Sequence, residues 1–243
     1  MRQSIIAAAL CVAAVGQLHA GSATMDNIRF FDNFHTDAAH ADGMFAEGVA
    51  AYISDDDADG MALGIQGGAP VAPNIEVGIT AGFLSVDYDY AGTESGLIDV
   101  EVVGKYHLQN WQNNQLTVGA LITLPIGDED IGQGNTDIGV FGAIRHPLNN
   151  RTVLMGTVGL TSLDQDNDRE FSLNLGGGLI YKVDNALHGI AELTMATEVE
   201  MMDLTLGADY AVQENGSLRG AIDLGLDDGS PDFTLKVGYL YRF

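Results

Sequence analysis

FTLKVGYLYRF, residues 233–243, alternates along its whole length. Phe233, Leu235, Val237, Tyr239, Tyr241 and Phe243 share one parity, and Thr234, Lys236, Gly238, Leu240 and Arg242 share the other. Period two over such a length is a sheet signal. Two kinds of strand read this way: the edge strand of a sandwich, and a strand whose apolar side meets lipid. Alternation alone does not separate them.

The same pattern recurs upstream. Phe171, Leu173, Leu175, Gly177, Leu179 and Tyr181 oppose Ser172, Asn174, Gly176, Gly178 and Lys182, with Ile180 as the exception. Leu218, Gly220, Ile222, Leu224 and Leu226 oppose Arg219, Ala221, Asp223 and Gly225. Ile98, Val100, Val102, Gly104, Tyr106 and Leu108 oppose Asp99, Glu101, Lys105 and His107. Strands are expected near 43–53, 59–68, 74–86, 96–108, 115–125, 134–146, 151–162, 169–182, 187–197, 199–212, 216–226 and 232–243. That makes an even number, twelve, and most are of the length a tilted membrane strand needs. The glycine-rich 59–68 is the weakest of them.

The turns discriminate between the two folds. Counted along the chain, the odd connections contain SDDDAD (54–59), DYDYAGTES (87–95), GDEDIGQGN (127–135), LDQDNDRE (163–170), TEVE (197–200) and DDGSPD (227–232). The even ones contain APVAPN (69–74), QNWQNNQ (109–115), HPLNN (146–150), VDNAL (183–187) and VQENG (212–216). The odd set carries 19 acids, and the even set only Asp184 and Glu214. In an up-and-down sheet the two sets emerge at opposite ends, so one end is acidic and the other nearly neutral. A sandwich in water has no need of such polarity, whereas a membrane barrel has two different ends and long loops at one of them. Aromatics near strand ends, among them Tyr52, Tyr181, Tyr210 and Trp111, match the girdles of such barrels. The expected fold is therefore an all-β, transmembrane, antiparallel up-and-down β-barrel of twelve strands, closed by pairing 232–243 with 43–53.

The ends of the chain are read in the same terms. Met1-Arg2-Gln3-Ser4, the apolar run Ile5–Val15 and a small-residue site ending at Ala20 read as a signal peptide over 1–20. Residues 21–42 show no clean period and are expected to form a periplasmic or luminal segment before the barrel at 43–243. Cys11, the only cysteine, falls in the leader, so the mature chain has neither a disulfide framework nor a thiolate site. No stretch offers the 18 or so apolar residues of a spanning helix.

Charge excludes other classes. The net charge of −24 opposes binding to nucleic-acid phosphates and docking on anionic lipid. No nucleophile elbow, HExxH or P-loop string occurs, so an enzyme is not expected, and no cofactor is implied. The acidic loops lack the twelve-residue calcium pattern.

In a barrel with an aqueous lumen the polar parity points inward. The candidate lumen-lining residues are Glu76, Asp99, Glu101, Lys105, Lys182, Glu192, Asp203, Asp209, Arg219, Asp223, Lys236 and Arg242. An acidic mouth is expected from Asp55, Asp56, Asp57, Asp128, Glu129, Asp130, Asp164, Asp166 and Asp168. Such a mouth concentrates cations, so the expected function is a narrow outer-membrane channel for small cationic or neutral solutes. The alternative is a closed structural or adhesive barrel that works through its acidic loops.

The leader, the repeated hairpins and the terminal GYLYRF resemble bacterial outer-membrane β-barrels. That resemblance implies lipid and the barrel-insertion machinery as partners, with Tyr239, Tyr241 and Phe243 as the assembly signal. APNIEVGITAGF (72–83), GLIDVEVVGKYHL (96–108), LTVGALITLPIGDED (116–130) and GNTDIGVFGAIRHPL (134–148) resemble the family of MetA-pathway phenol-degradation transporter-like proteins. The matching positions are Gly96, Asp99, Lys105, Leu124, Pro125, Gly127, Thr136 and Asp137. The chain departs from that pattern at Leu97-Ile98.

Overall fold

The computed structural model describes residues 24–243 apart from 112, 129, 130, 133, 166 and 167. The leader read over 1–20 lies outside the described residues. Thirteen strands account for most of the described chain: β1 Phe45–Asp55, β2 Ala58–Ala72, β3 Ile75–Tyr88, β4 Gly92–Leu97, β5 Val100–Trp111, β6 Asn114–Leu124, β7 Ile138–Asn149, β8 Thr152–Gln165, β9 Asp168–Lys182, β10 Leu187–Ala196, β11 Met201–Gln213, β12 Gly216–Gly225 and β13 Phe233–Arg242. All pairings are antiparallel, most of them between chain neighbours, and β13 returns to pair with β1 from Phe45↔Arg242 to Ser54↔Phe233. The sheet is thus a closed barrel, and closure removes the sheet edges that lipid could not hydrogen-bond.

β4 and β5 form one interrupted stave, which reconciles thirteen strands with the twelve expected. β3 pairs with β4 through Phe83–Tyr88 and with β5 through Ile75–Thr80. The break falls at Ile98-Asp99 and shifts the alternation by one residue. Expected to face outward with Val100, Ile98 instead reaches the inner side, where a Cβ on Gly82 would lie 3.2 Å from its Cδ1. The glycine-rich second strand, expected at 59–68, is one of the longest, since its glycines leave backbone pairing to β1 and β3 intact. Register shifts at 70–72, 108–111, 147–149 and 211–213 all sit beside the even turns, where bulges seat Pro70 and Pro147.

The outward parity is apolar. Leu63, Ile65, Val77, Ile79, Val118, Val140, Val158, Leu160, Leu206, Leu218, Leu235 and Val237 are all exposed. Outward-facing Asp, Glu, Lys or Arg among the described strands is limited to Asp59, Asp87, Asp164 and Arg169, all at the acidic rim. A midplane Lys or Arg there would cost roughly 2–4 kcal/mol. Tyr52, Phe83, Phe171 and Phe233 mark that rim, and Tyr106, Tyr181, Tyr210, Tyr239 and Tyr241 mark the neutral one. From Phe233 to Phe243, ten steps of ~3.3 Å at a tilt of about 40° span about 25 Å, the height of a membrane barrel's apolar band.

Candidate functional site

The lumen is not empty. Residues 24–42 form an irregular, turn-rich segment whose side chains and backbone meet inward residues of most staves. Irregular backbone inside a barrel needs partners for its N–H and C=O groups, and charged side chains of the wall supply them.

Glu192 of β10 accepts the backbone N–H of Phe31, and its Oε2 accepts those of Asp32 and Asn33, each at 3.2 Å. Lys105 of β5 donates Nζ to the carbonyls of Asp37 (3.2 Å) and Ala39 (3.0 Å). Arg219 of β12 reaches the carbonyls of Arg29 and Phe30 while pairing with Glu47 at 2.6 Å and lying 3.4 Å from Asp209. Arg145 of β7 takes the carbonyls of Met25 and Asp26 and pairs with Asp37 at 2.6 Å. The segment supplies charges of its own. Arg29 pairs with Glu76 at 2.7 Å, and Asp32 joins Lys236, which also holds Asp223 at 2.6 Å. The guanidinium of Arg29 lies 3.8 Å from the ring centroid of Phe45, a cation–π contact.

Two apolar clusters complete the filling. Ile28 and Phe30 pack with Met155, Ile180 and Ile190, and Phe34 and Ala41 pack with Phe45 and Leu240. This explains Ile180, the break in the alternation of β9: it faces a hydrophobic segment rather than water. Glycine on the wall permits the close approach, since a Cβ at Gly178 would strike the Phe30 ring and one at Gly78 the His35 ring.

Burial among cations shapes the segment's titration. His35 is pushed down to about 3, first by desolvation and then by Arg29 and Lys105. Burial alone would raise Asp37, but Arg145, Lys105 and Arg29 together hold it below its ordinary value.

Toward the acidic end the lumen opens into a cavity of about 460 Å³. Its floor is Asp32, Asn33 and Thr36 of the segment, and its wall includes Glu101, Leu121, Thr123, Phe141, Thr161 and Asn174. No Lys or Arg among the described residues lines it. Among the described residues the Glu101 carboxylate has neither an ion-pair partner nor a hydrogen-bond donor within reach.

The other expected positions are spread along the barrel. Asp99 sits in the stave break, where Oδ1 accepts Gly127 N–H at 2.8 Å and Oδ2 accepts Gly134 N–H at 3.2 Å. Asp128 secures the same loop, accepting Leu97 N–H at 2.6 Å and donating its own N–H to the Leu97 carbonyl. Asp99, Gly127 and Asp128 thus meet in one strap over the break. Asp203 of β11 is opposite Gly225 near the acidic rim, and Lys182 is opposite His188 near the neutral one. Buried Arg242 donates to Ser217 Oγ at 3.2 Å. Tyr239 OH accepts from Gln213, and the rings of Tyr241 and Phe243 meet edge to face at 4.9 Å. Asp55, Asp56 and Asp57 are exposed at the first odd turn, and Asp164 pairs with Arg169 at 3.2 Å. Glu129, Asp130 and Asp166 lie outside the described residues, and Asp168 is described only as the first residue of β9.

Sequence reasoning missed Arg29, Asp32 and Asp37 of the segment, and Glu47 and Arg145 of the wall. One signal was available. Met155, Ile180 and Ile190 put large apolar side chains on the inward parity, where an open aqueous lumen has no use for them.

No family model and no curated protein matches the chain. Solved structures do. The COG4313 outer membrane channel from Pseudomonas putida F1 superposes with a TM-score of 0.67 at 13% identity, over 88% of this chain and 100% of that one. The KdgM porin in complex with disordered oligogalacturonate gives 0.58 at 12% identity, over 82% and 99%. The NanC porin gives 0.55 at 12% identity, over 82% and 100%. At these identities the likeness is one of fold, that of outer-membrane barrels.

Proposed function

We propose that the chain is a channel of the bacterial outer membrane for small solutes, entered from the acidic end and narrowed below by residues 24–42. The observation that carries this reading is a cavity of about 460 Å³, lined by both polar and apolar side chains, inside a closed barrel. The unbroken apolar exterior calls for lipid, and the fold shared with channels and porins supports the same role. The resemblance of 72–148 to phenol-degradation transporter-like proteins adds to it. Tyr239, Tyr241 and Phe243 serve as the signal to the insertion machinery, and no catalytic group is assigned.

The solutes are cationic or neutral. Acids crowd the odd turns, and cations gather where like-signed charges line a mouth. Oligogalacturonate, the ligand of the KdgM complex, is a polyanion. A cavity without Lys or Arg is poorly matched to such a ligand.

A second reading has its own support. The ion pairs Arg29–Glu76 and Arg145–Asp37 are as buried as those of a protein core. A barrel so filled could be closed, with its acidic loops as the working surface. Planar-bilayer recording separates the two. The folded protein should conduct in small, cation-preferring steps, and a variant lacking residues 24–42 should conduct more. Silence from both folded proteins, with no solute uptake by liposomes, rejects the channel.

A further inference from the structure

We infer that the cavity above the N-terminal segment is a binding site for a small organic ammonium ion with a short apolar tail, and that Glu101 is its counter-ion. The inference deepens the channel reading by naming the solute class of the same lumen.

The inward carboxylates differ in their partners. Glu47 has Arg219 and Gln66, Glu76 has Arg29, and Glu192 has the N–H groups of the segment. Asp223 has Lys236, Asp209 has Arg219, and Asp137 accepts Asp164 N–H at 2.9 Å. Glu101 alone of these has no partner among the described residues, and it lines the cavity, as does Asp137, whose carboxylate is already engaged. A partly buried carboxylate without donor or cation is unfavourable, and an arriving ammonium relieves that cost. The lining offers no cation of its own, so an anion would find nothing to pair with.

The wall below Glu101 sets the rest of the ligand. Thr123 is its cross-strand neighbour on β6 and supplies a hydroxyl beside it. Leu121 follows on the same inward parity, and a Cβ on Gly119 would strike the Phe141 ring. At ~3.3 Å per residue these apolar surfaces lie about 7 and 13 Å down the strand from Thr123. An ammonium at Glu101 with a tail of about 10 Å would therefore reach Leu121 and approach the Phe141 ring. A cavity of about 460 Å³ holds such a molecule.

Calorimetric titration of the folded barrel in a neutral detergent tests this with three probes of one shape: 4-phenylbutylammonium, 4-phenylbutanol and 5-phenylpentanoate. The ammonium should bind on the order of tenfold or more tightly than the other two, as a charge-assisted contact requires. Glu101→Gln should erase that preference, and Phe141→Leu should weaken all binding while keeping the order. Equal affinity for the alcohol, or an ammonium preference that survives Glu101→Gln, overturns the inference. Should the glutamine variant fail to fold, the three-probe order in the unaltered barrel decides alone. Ammonium binding in a barrel that does not conduct would reject the channel and leave the site standing. Conductance without ammonium preference would do the reverse.

Discussion

Arg29, ahead of the first strand, donates Nη2 to Oε1 of Glu76 in β3 at 2.7 Å, with each side chain 2% exposed. The bond ties the lumen's contents to its wall. Glu76 also faces Lys105 at 3.3 Å and His107 at 3.7 Å. Removing the guanidinium would therefore weaken the cluster and leave the rest of it charged. Truncating one partner of a buried pair typically costs about 3–5 kcal/mol. Arg29→Ala should make residues 24–42 sensitive to protease while the barrel keeps its heat-modifiable mobility. A segment as resistant as the unaltered one would show that this pair does not hold it.

Acid should loosen the same segment. The imidazole of His35 has an ordinary value of 6.5 but is held to about 3 by burial, Arg29 and Lys105. Released, it takes up a proton that the docked form refuses. Docking is thus strongest above about pH 6.5 and weakens as pH falls toward 3, by on the order of 1 kcal/mol per pH unit. Asp37, held low by Arg145, Lys105 and Arg29 against its burial, keeps its contribution down to its ordinary value of 3.8 and loses it only in stronger acid. Proteolysis of 24–42 should accelerate between pH 7 and pH 5, and His35→Gln should flatten the trend. An unchanged slope in that variant would assign it to other groups.

The two rims can be told apart on intact cells. A cysteine at position 57, in the first odd turn, should react with an impermeant maleimide. One at 113 or 214, in even turns, should not. Labelling in the opposite order would invert the barrel in the membrane.

Phe243 donates its backbone N–H to the Met44 carbonyl at 2.8 Å, beside the seam between β13 and β1. Its deletion should reduce the folded fraction recovered from outer membranes, while the molecules that do fold conduct normally. Full recovery of the truncated chain would remove Phe243 from the assembly signal.

The wall was legible because its rule is local. Period two, with acids at every second turn, holds from Phe45 to Arg242 within each strand except at the Ile98-Asp99 break, and the pairing of the last strand with the first follows from it. Ile98-Asp99 was not legible, because the shift there depends on a loop about 30 residues later whose Gly127 N–H bonds to Asp99. The segment was opaque for a related reason. Ile28, Phe30 and Phe34 are buried on all sides, so no face repeats and no period arises. The inward charges pair with one another, as in Arg219–Glu47 and Lys236–Asp223, and also with Arg29, Asp32 and Asp37 of the segment, which no period on the wall announces. Glu101 differs from the other inward carboxylates in lying above the level that the segment reaches.

The segment begins and ends at the same rim. Met25 and Asp26 are held by Arg145, four residues from the neutral end of β7, and Met44 meets Phe243 at that same end. Among the described residues, what fills the lumen is therefore a bight rather than a thread. A thread leaves a ring only if one of its ends travels the full length. A bight can be drawn out the way it went in, with no seam opened and no strand unpaired. Whatever time the barrel takes to empty and refill would then be set by contacts such as Arg29–Glu76 and not by any knotting of the chain.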